Sequence, residues 1–374
     1  MSLNTLPVAA AGRQPRAIVR INGTAVPGWL SWSCTSNDYY EADTFRVSFA
    51  VSAMGTSSAQ PFIEQTELFV EILAGFPTNP DAPAPSDLSS LIYGRVDEMD
   101  FDPFARVLTF HGRDLTGAFI DARLDSDYQA QHASDVATLL AAKHGLVPKV
   151  TATTGLTGGY YKHDQVKMHA NQSEWDLLAY LAREVGFQCY VLGQELHFEP
   201  DTAGPGEPYV ISWQPATSTY AAPTANVQSL SFSRALTVSK GVTVTVRSPS
   251  LTKKVAVVQS YPTKARAIQS GKASPFGNVQ AYYFTTAANR DATQVQQEAQ
   301  RRYNELITHE MKLQAVLPGD NLLTTKSVLR VQGTGTSFDQ DYYPNEVTRE
   351  MSMDEGYTMT VSAKNHSPQV VPAP

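Results

Sequence analysis

Apolar and polar residues alternate with period two along two long blocks of this chain. That pattern restricts both blocks to half-buried β-sheet. In TFRVSFAV (44–51), Phe45, Val47 and Phe49 share one face, and in ELFVEIL (67–73) Leu68, Val70 and Ile72 do. LIYGRVDEMDF (91–101) and ARVLTFHGRD (105–114) form a further pair joined near Asp102-Pro103. Asn22-Gly23, between β-prone flanks, supplies the positive φ of a type I′ hairpin. The prolines of GFPTNPDAPAPSDLSS (75–90) exclude a central strand and predict a surface excursion. Strands resume at 227–234, 237–247, 253–260 and 281–286, with Gly241 as a bulge or bend. MKLQAVLPGDNLL, VLRVQGTG, YYPNEVTREM and GYTMTVSA close the chain as strands.

Between the blocks the period lengthens. Ser134 is placed to cap a helix through DVATLLAAKHG, with Gly145 as its stop. Ser173 starts a second helix, EWDLLAYLAREVG, whose stripe is Trp175, Leu178, Leu181, Ala182 and Val185 and whose stop is Gly186. FQCYV (187–191) and ELHFEP (195–200) read as a hairpin across Leu192-Gly193-Gln194. Asp291 caps a long helix in which Val295, Ala299, Tyr303, Leu306 and Ile307 form one face. The expected class is therefore mainly β with an α+β insertion. A first β-barrel spans 1–119 and carries the 75–90 excursion. A small helix-plus-hairpin domain spans 120–200, and a linker with one embedded strand (209–213) spans 201–226. A second β-barrel spans 227–374 and contains the helix at 291–309.

Of 374 residues, 42% are hydrophobic and 17% charged, which describes a folded chain rather than a charged tail. The net charge of −7 argues against a sequence-reading nucleic-acid binder. Cys34 and Cys189 are too few and too far apart for a disulfide framework or a cysteine-rich zinc site, and are read as buried thiols. The N-terminus lacks the basic region of a secretory signal and no stretch reaches the ~20 apolar residues of a membrane helix, so a soluble protein made in the cytoplasm is expected. Without a secretory route the sequons at Asn22, Asn171 and Asn365 carry no meaning.

The search for catalytic chemistry is mostly negative. Gly271-Lys272 lacks the upstream glycine of a phosphate loop, and Gly333-Thr334-Gly335 lacks the third glycine of a dinucleotide site. His309-Glu310 opens like a zinc-protease helix, but Leu313 stands where the second imidazole is needed. Asp97, Glu98, Asp100 and Asp102 sit on an alternating strand and read as a solvated edge. His111, Arg113 and Asp114 read as the turn out of a strand. Tyr160-Tyr161 reads as packed aromatics after a turn, with a sugar platform as the alternative. No catalytic, cofactor-binding or metal-binding residue is assigned, and no cofactor is expected.

Three stretches carry a family likeness: RVLTFHGRDLTGAFIDAR (106–123), NQSEWDLLAYLAREVGFQCYVLGQELHFEP (171–200), and the C-terminal run from LPGDNLL through VQGTGTSFDQDYYPNEVTREMSMDEGYTMTVSA (317–363). In this order they resemble the baseplate hub proteins of contractile-tailed phages, namely the late control protein D family and the Mu-type and T4-type hubs. They also resemble the N-terminal module of type VI secretion spike proteins. The positions that carry the resemblance are Gly112, Asp114, Leu115, Trp175, Gly186, Gly319, Gly333, Gly335, Tyr343 and Gly356. The resemblance implies a non-enzymatic structural protein of the virion tail baseplate, assembled in the host bacterial cytoplasm. It implies a homotrimer whose two barrels per chain give a pseudo-sixfold ring. The implied partners are the tail tube protein, the central spike protein and other baseplate proteins, with transient passage of DNA. A negative total charge suits a lumen through which DNA slides. A tail-associated cell-wall hydrolase and a carbohydrate- or receptor-binding β protein are the alternatives. The 75–90 excursion is not assigned to the family core, and a chain with no β-helical needle or lysozyme-like part is expected to differ from a fused secretion spike and from a hub fused to an enzyme.

Overall fold

The computed structural model describes residues 3–4, 14–38, 40–55, 59–124, 128, 131–154, 156–157, 172–200, 206–239, 241–250, 255–262, 280–286 and 289–365. Strand β1 (Arg16–Ile21) turns at Asn22-Gly23 into the two-residue β2 (Thr24–Ala25). Both turn residues take positive φ, 49° and 79°, as an Asn-Gly type I′ turn requires. There follow β3 (Trp29–Asn37), β4 (Thr44–Ala50), β5 (Phe69–Gly75), β6 (Ser89–Asp102) and β7 (Val107–Asp114). They lie side by side in the order β3-β4-β7-β6-β5-β1-β2. The alternation read in the sequence puts Phe45, Val47, Phe49, Val70 and Ile72 into one core with Val19, Trp32 and Phe110. Phe49 meets Phe110 edge-on at 5.9 Å between ring centroids. The proline-rich excursion leaves the sheet between β5 and β6, as expected, and its Pro80 carbonyl accepts from Arg16 Nε at 2.7 Å.

A helical layer comes next. A two-residue pair, β8 (Gln131–His132) with β10 (Leu156–Thr157), flanks the helix Ala133–Lys143 and β9 (Val147–Val150). Helix Glu174–Val185 then leads into the hairpin of β11 (Phe187–Leu192) and β12 (Glu195–Pro200), and β9 lies parallel to β12. Ser173 caps the second helix in a reciprocal box with Asp176, and Gly186 ends it at φ 72°. Ser134 does not cap the first helix. His132 holds the N-cap position, and Ser134 lies buried in the first turn, where its Oγ accepts from the Thr153 N–H at 3.2 Å. The β8 pairing moves the helix start upstream of the serine.

The third part contains β13 (Tyr209–Gln214), β14 (Thr224–Ala225), β15 (Ser229–Arg234), β16 (Val242–Ser248), β17 (Val257–Tyr261), β18 (Gln280–Thr285), β19 (Met311–Pro318), β20 (Leu329–Gln332), β21 (Asp341–Ser352) and β22 (Gly356–Asn365). Three features differ from the sequence reading. The strand embedded in the expected linker is a sheet member: β13 runs parallel to β20 and buries Tyr209 and Ile211 in the third part's core. Residues Leu236–Ser239 form a turn of helix, so the strand begins only at Val242, after Gly241 at φ 116°. Among the described residues, strands β16–β18 do not join the larger sheet. They form a separate one, β17-β16-β18, covered by helix Ala292–Ile307, with Val242, Val244, Val246, Val295, Ala299 and Tyr303 between the layers. Asp291 caps that helix by accepting the Gln294 N–H at 2.8 Å.

The two β units share one sheet. β21 pairs with β20 and β22 of its own unit and with β3 of the first unit, giving a single 14-stranded sheet that branches at β21. Among the described residues neither unit closes on itself by strand pairing, so each is an open curved sheet. Seven registered pairs make the β3–β21 joint, from Glu346↔Asn37 to Ser352↔Ser31. The Thr35 and Thr348 hydroxyls meet across it at 3.0 Å. Gly112, on β7, has no room for a side chain, because a Cβ there would lie 2.1 Å from the Arg95 carbonyl oxygen and 2.5 Å from the Phe45 ring. Gly112→Ala is therefore expected to cost on the order of 3 kcal/mol. Urea unfolding checks this, and a midpoint equal to that of the parent chain contradicts it.

Candidate functional site at the meeting of three units

Between β19 and β20 the sequence PGDNLLTTKS leaves the sheet, because proline and glycine end the strand. Residues 318–327 form a strap that touches all three parts of the chain. Gly319 lies flat on Tyr357, where a Cβ would fall 2.4 Å from the ring. The Asp320 carboxylate accepts the N–H of Leu322 at 2.9 Å and the Tyr209 hydroxyl at 2.7 Å, which fixes the turn. Asn321 donates to the Ala74 carbonyl of β5 at 2.6 Å and accepts from the Tyr357 hydroxyl at 2.7 Å. Lys326 sits 3.6 Å from the centroid of the Tyr190 ring and 3.7 Å from Glu199, both on the helix-plus-hairpin part.

Arg349 holds the strap from beneath. It projects from β21 into the buried side and is 4% exposed. Its Nε donates to the Asp320 carbonyl at 2.8 Å and its Nη2 to the Leu323 carbonyl. Among the described residues no carboxylate pairs with it, so this buried cation is satisfied by carbonyl oxygens.

A cavity of about 280 Å³ opens beside the strap, lined among others by Asn37, Asp43, Asp114, Tyr190, Lys326 and Arg349. Burial pushes the Asp43 carboxyl up to about 6, against the bond it accepts from the Asn37 N–H at 2.8 Å. Burial, and then the neighbouring Asp43, hold Asp114 well above the usual carboxylate range. Asp114 accepts the Thr116 hydroxyl at 2.8 Å and the Thr116 N–H at 3.2 Å.

The positions singled out by the family resemblance are distributed widely. Asp114 lines the cavity and Gly319 opens the strap, and Gly356 turns β21 into β22 beside Tyr357 at φ 74°. Leu115 packs on the helical core, and the Trp175 indole donates to the Tyr40 carbonyl at 3.0 Å, fastening that core to the first β unit. Gly186 is a helix stop. Gly333 presses against Trp213, whose carbonyl oxygen would lie 1.9 Å from a Cβ, and the Gly335 N–H donates to Asp339 at 2.9 Å. Tyr343 is half-exposed on β21, away from the strap. The sequence reading missed Asp43, Asn321, Lys326 and Arg349. One signal was present: Arg349 occupies the inward phase of β21, between Val347 and Met351.

The residues weighed for catalysis do not converge. Arg113 bonds Asp97 at 2.7 Å and also pairs with Asp121. His111 lies 3.2 Å from Asp100, while Asp114 is buried with Thr116 instead. Asp102 caps its own turn through the N–H groups of Phe104 and Ala105. Tyr160, Tyr161 and Asn171 lie outside the described residues. Among the described residues no group of His, Cys, Asp and Glu could hold a metal, and no helix is long and apolar enough to cross a membrane. Both cysteines are buried, and burial pushes the Cys34 thiol up to about 12.

A carboxyl raised by folding favours its neutral form in the native state. The stability it confers is complete below its ordinary value of 3.8 and is lost as the pH rises through about 6. Asp43→Asn is expected to unfold at higher urea than the parent chain at pH 8, by on the order of 2 kcal/mol, and to match it near pH 4. Equal parent and variant stability at pH 8 contradicts the assignment.

No family model matches the sequence, and no curated protein matches it. Solved structures do. A tail protein from Neisseria meningitidis MC58 aligns with 94% of this chain and 97% of its own, at 15% identity and a TM-score of 0.67. The 43 kDa tail protein of prophage MuSo2 from Shewanella oneidensis aligns with 96% of this chain and 100% of its own, at 13% identity and a TM-score of 0.65. An Escherichia coli component of the type VI secretion system, itself described as similar to the T4 tail proteins gp27 and gp5, aligns with 95% of this chain and 79% of its own, at 13% identity and a TM-score of 0.51. Likeness at this identity speaks to architecture, and over nearly its whole length this chain has the fold of phage tail proteins.

Proposed function

We propose that this chain is a structural baseplate hub subunit of a contractile tail. Three copies form a pseudo-sixfold ring that joins the tail tube to the central spike, with other baseplate proteins around it, and DNA passes through the ring. The protein works in the virion tail after assembly in the bacterial cytoplasm and performs no catalysis. The observation that carries this reading is the correspondence with tail proteins from end to end, including one that is matched over its full length.

Two further features support it. The first is the character of the sheet edges. β2 and β14 are only two residues long. The part of β6 beyond its last β5 partner, Arg95, bears Asp97, Glu98, Asp100 and Asp102, which discourage strand addition. By contrast, among the described residues β15 pairs only with β19; it is six residues long and carries no charge before Arg234. Such an edge suits strand pairing between subunits.

The second is the outer face at the joint. One row across it reads Thr360, Thr348, Thr35, Thr44 and Arg113, and another reads Thr358, Glu350, Ser33 and Arg46. Short hydroxyls with few cations give phosphates little to hold, which suits a surface along which DNA moves.

Electron microscopy with light scattering on the purified chain tests the reading. A ring with a central hole and three times the 40.8 kDa chain mass is expected. A chain that stays monomeric at high concentration, with the spike partner present, contradicts it.

A further inference from the structure

The cavity beside the strap brings together groups that packing alone does not require. Arg349 spends its hydrogen bonds on two strap carbonyls, Asp320 and Leu323. The carboxyl of Asp43 lines the same cavity, close enough for the guanidinium to act on it electrostatically. The cavity that both line has a volume of about 280 Å³. A cation held by carbonyls, next to an acid that it does not pair with, has a second arrangement available.

The other charged and titratable groups here come from every element around the cavity. Asp38 and Glu41 line it from the β3–β4 turn, Asp114 from the end of β7, Tyr190 from β11 and Lys326 from the strap. Cys34 on β3 and Tyr357 on β22 lie within electrostatic range of Arg349 from its own sheet. Asp320 is engaged by Tyr209. Of the two cations among the described residues lining the cavity, Lys326 is held over the Tyr190 ring, which leaves Arg349 to answer a charge on Asp43.

We propose that this junction is a two-state latch. With the Asp43 carboxyl neutral, Arg349 grips the strap through its two carbonyls. With the carboxyl ionised, the guanidinium turns across the cavity to Asp43 and the strap lets go. Release loosens the ties that the strap makes to all three parts: Asn321 to Ala74, Asp320 to Tyr209, and Lys326 to Tyr190 and Glu199. The helix-plus-hairpin part is then free to shift against the two β units. The raised ionisation range of Asp43 puts the switch near pH 6, with the closed state on the acid side. The latch lies within one chain and does not depend on the assembly proposed above.

Amide hydrogen exchange of the full chain, corrected for intrinsic rates, reads the latch directly. Peptides covering 319–327 are expected to exchange about tenfold faster at pH 8 than at pH 5. In Asp43→Asn they are expected to stay slow at both. An unchanged strap in the parent chain, or the same acceleration in Asp43→Asn, overturns the proposal. Lys326→Met leaves the carboxyl and guanidinium in place, and covers the case in which the Asp43 variant does not fold. It should exchange faster throughout yet keep the parent's pH midpoint, and a moved midpoint also overturns the latch.

Discussion

The pairing of β3 with β21 is the contact on which the rest of the molecule depends. It joins residues 31–37 to residues 346–352, so nearly the whole sequence must be in place before it forms. Such a contact pays a large loop-closure cost, and seven registered pairs with a hydroxyl bridge between Thr35 and Thr348 offset it. Without that joint there would be two sheets with exposed central edges. With it there is one sheet, and both hydrophobic cores lie against a common backbone. The joint also places Arg349 beside Cys34, at the point where the strap crosses between units.

The helical parts are fastened to this frame by few but directional contacts. Trp175 reaches Tyr40, Arg183 stacks 4.2 Å from the centroid of the Tyr40 ring, and Lys326 reaches Tyr190. The helix-plus-hairpin part has its own core around Phe119, Trp175, Leu178 and Phe198. The sheet of β16–β18 has another, under the helix Ala292–Ile307. Each insertion is stable through its own burial and is connected to the frame through polar ties. A shared rigid sheet with separately cored attachments lets one polar cluster change the relation between parts without unfolding any of them.

Much of this was legible in the sequence. The strands β4 to β7 and β19 to β22 announce themselves because one side is buried and the other solvated, so Phe45, Val47 and Phe49 or Met359, Val361 and Ala363 recur at every second position. Ser173 with Asp176 marks a helix start by chemistry that acts within one turn. What stayed hidden depends on partners distant in sequence. Strands β16 to β18 carry the same period as the frame strands, and only the helix laid over them sets them apart. β13 is legible as a strand within a proline-, glycine- and threonine-rich run, but its place in the sheet depends on β20, more than a hundred residues on, as a parallel partner. The carbonyls that satisfy Arg349 belong to a loop, and backbone groups leave no trace in side-chain pattern. Its inward phase on β21 was the one visible sign that something polar must meet it.

Over nearly its whole length the chain shares its fold with phage tail proteins, and a single sheet spans both β units. The β3–β21 joint makes the two units one body. Differential scanning calorimetry of the parent chain and of Ser36→Pro tests this most directly, since β3 N–H groups in phase with that of Asp38, which bonds the Asn345 carbonyl, face β21, and proline removes one of them from the joint. One cooperative transition spanning both β units is expected in the parent chain, and two separated transitions in the variant. A variant that keeps a single transition at an unchanged midpoint would contradict it.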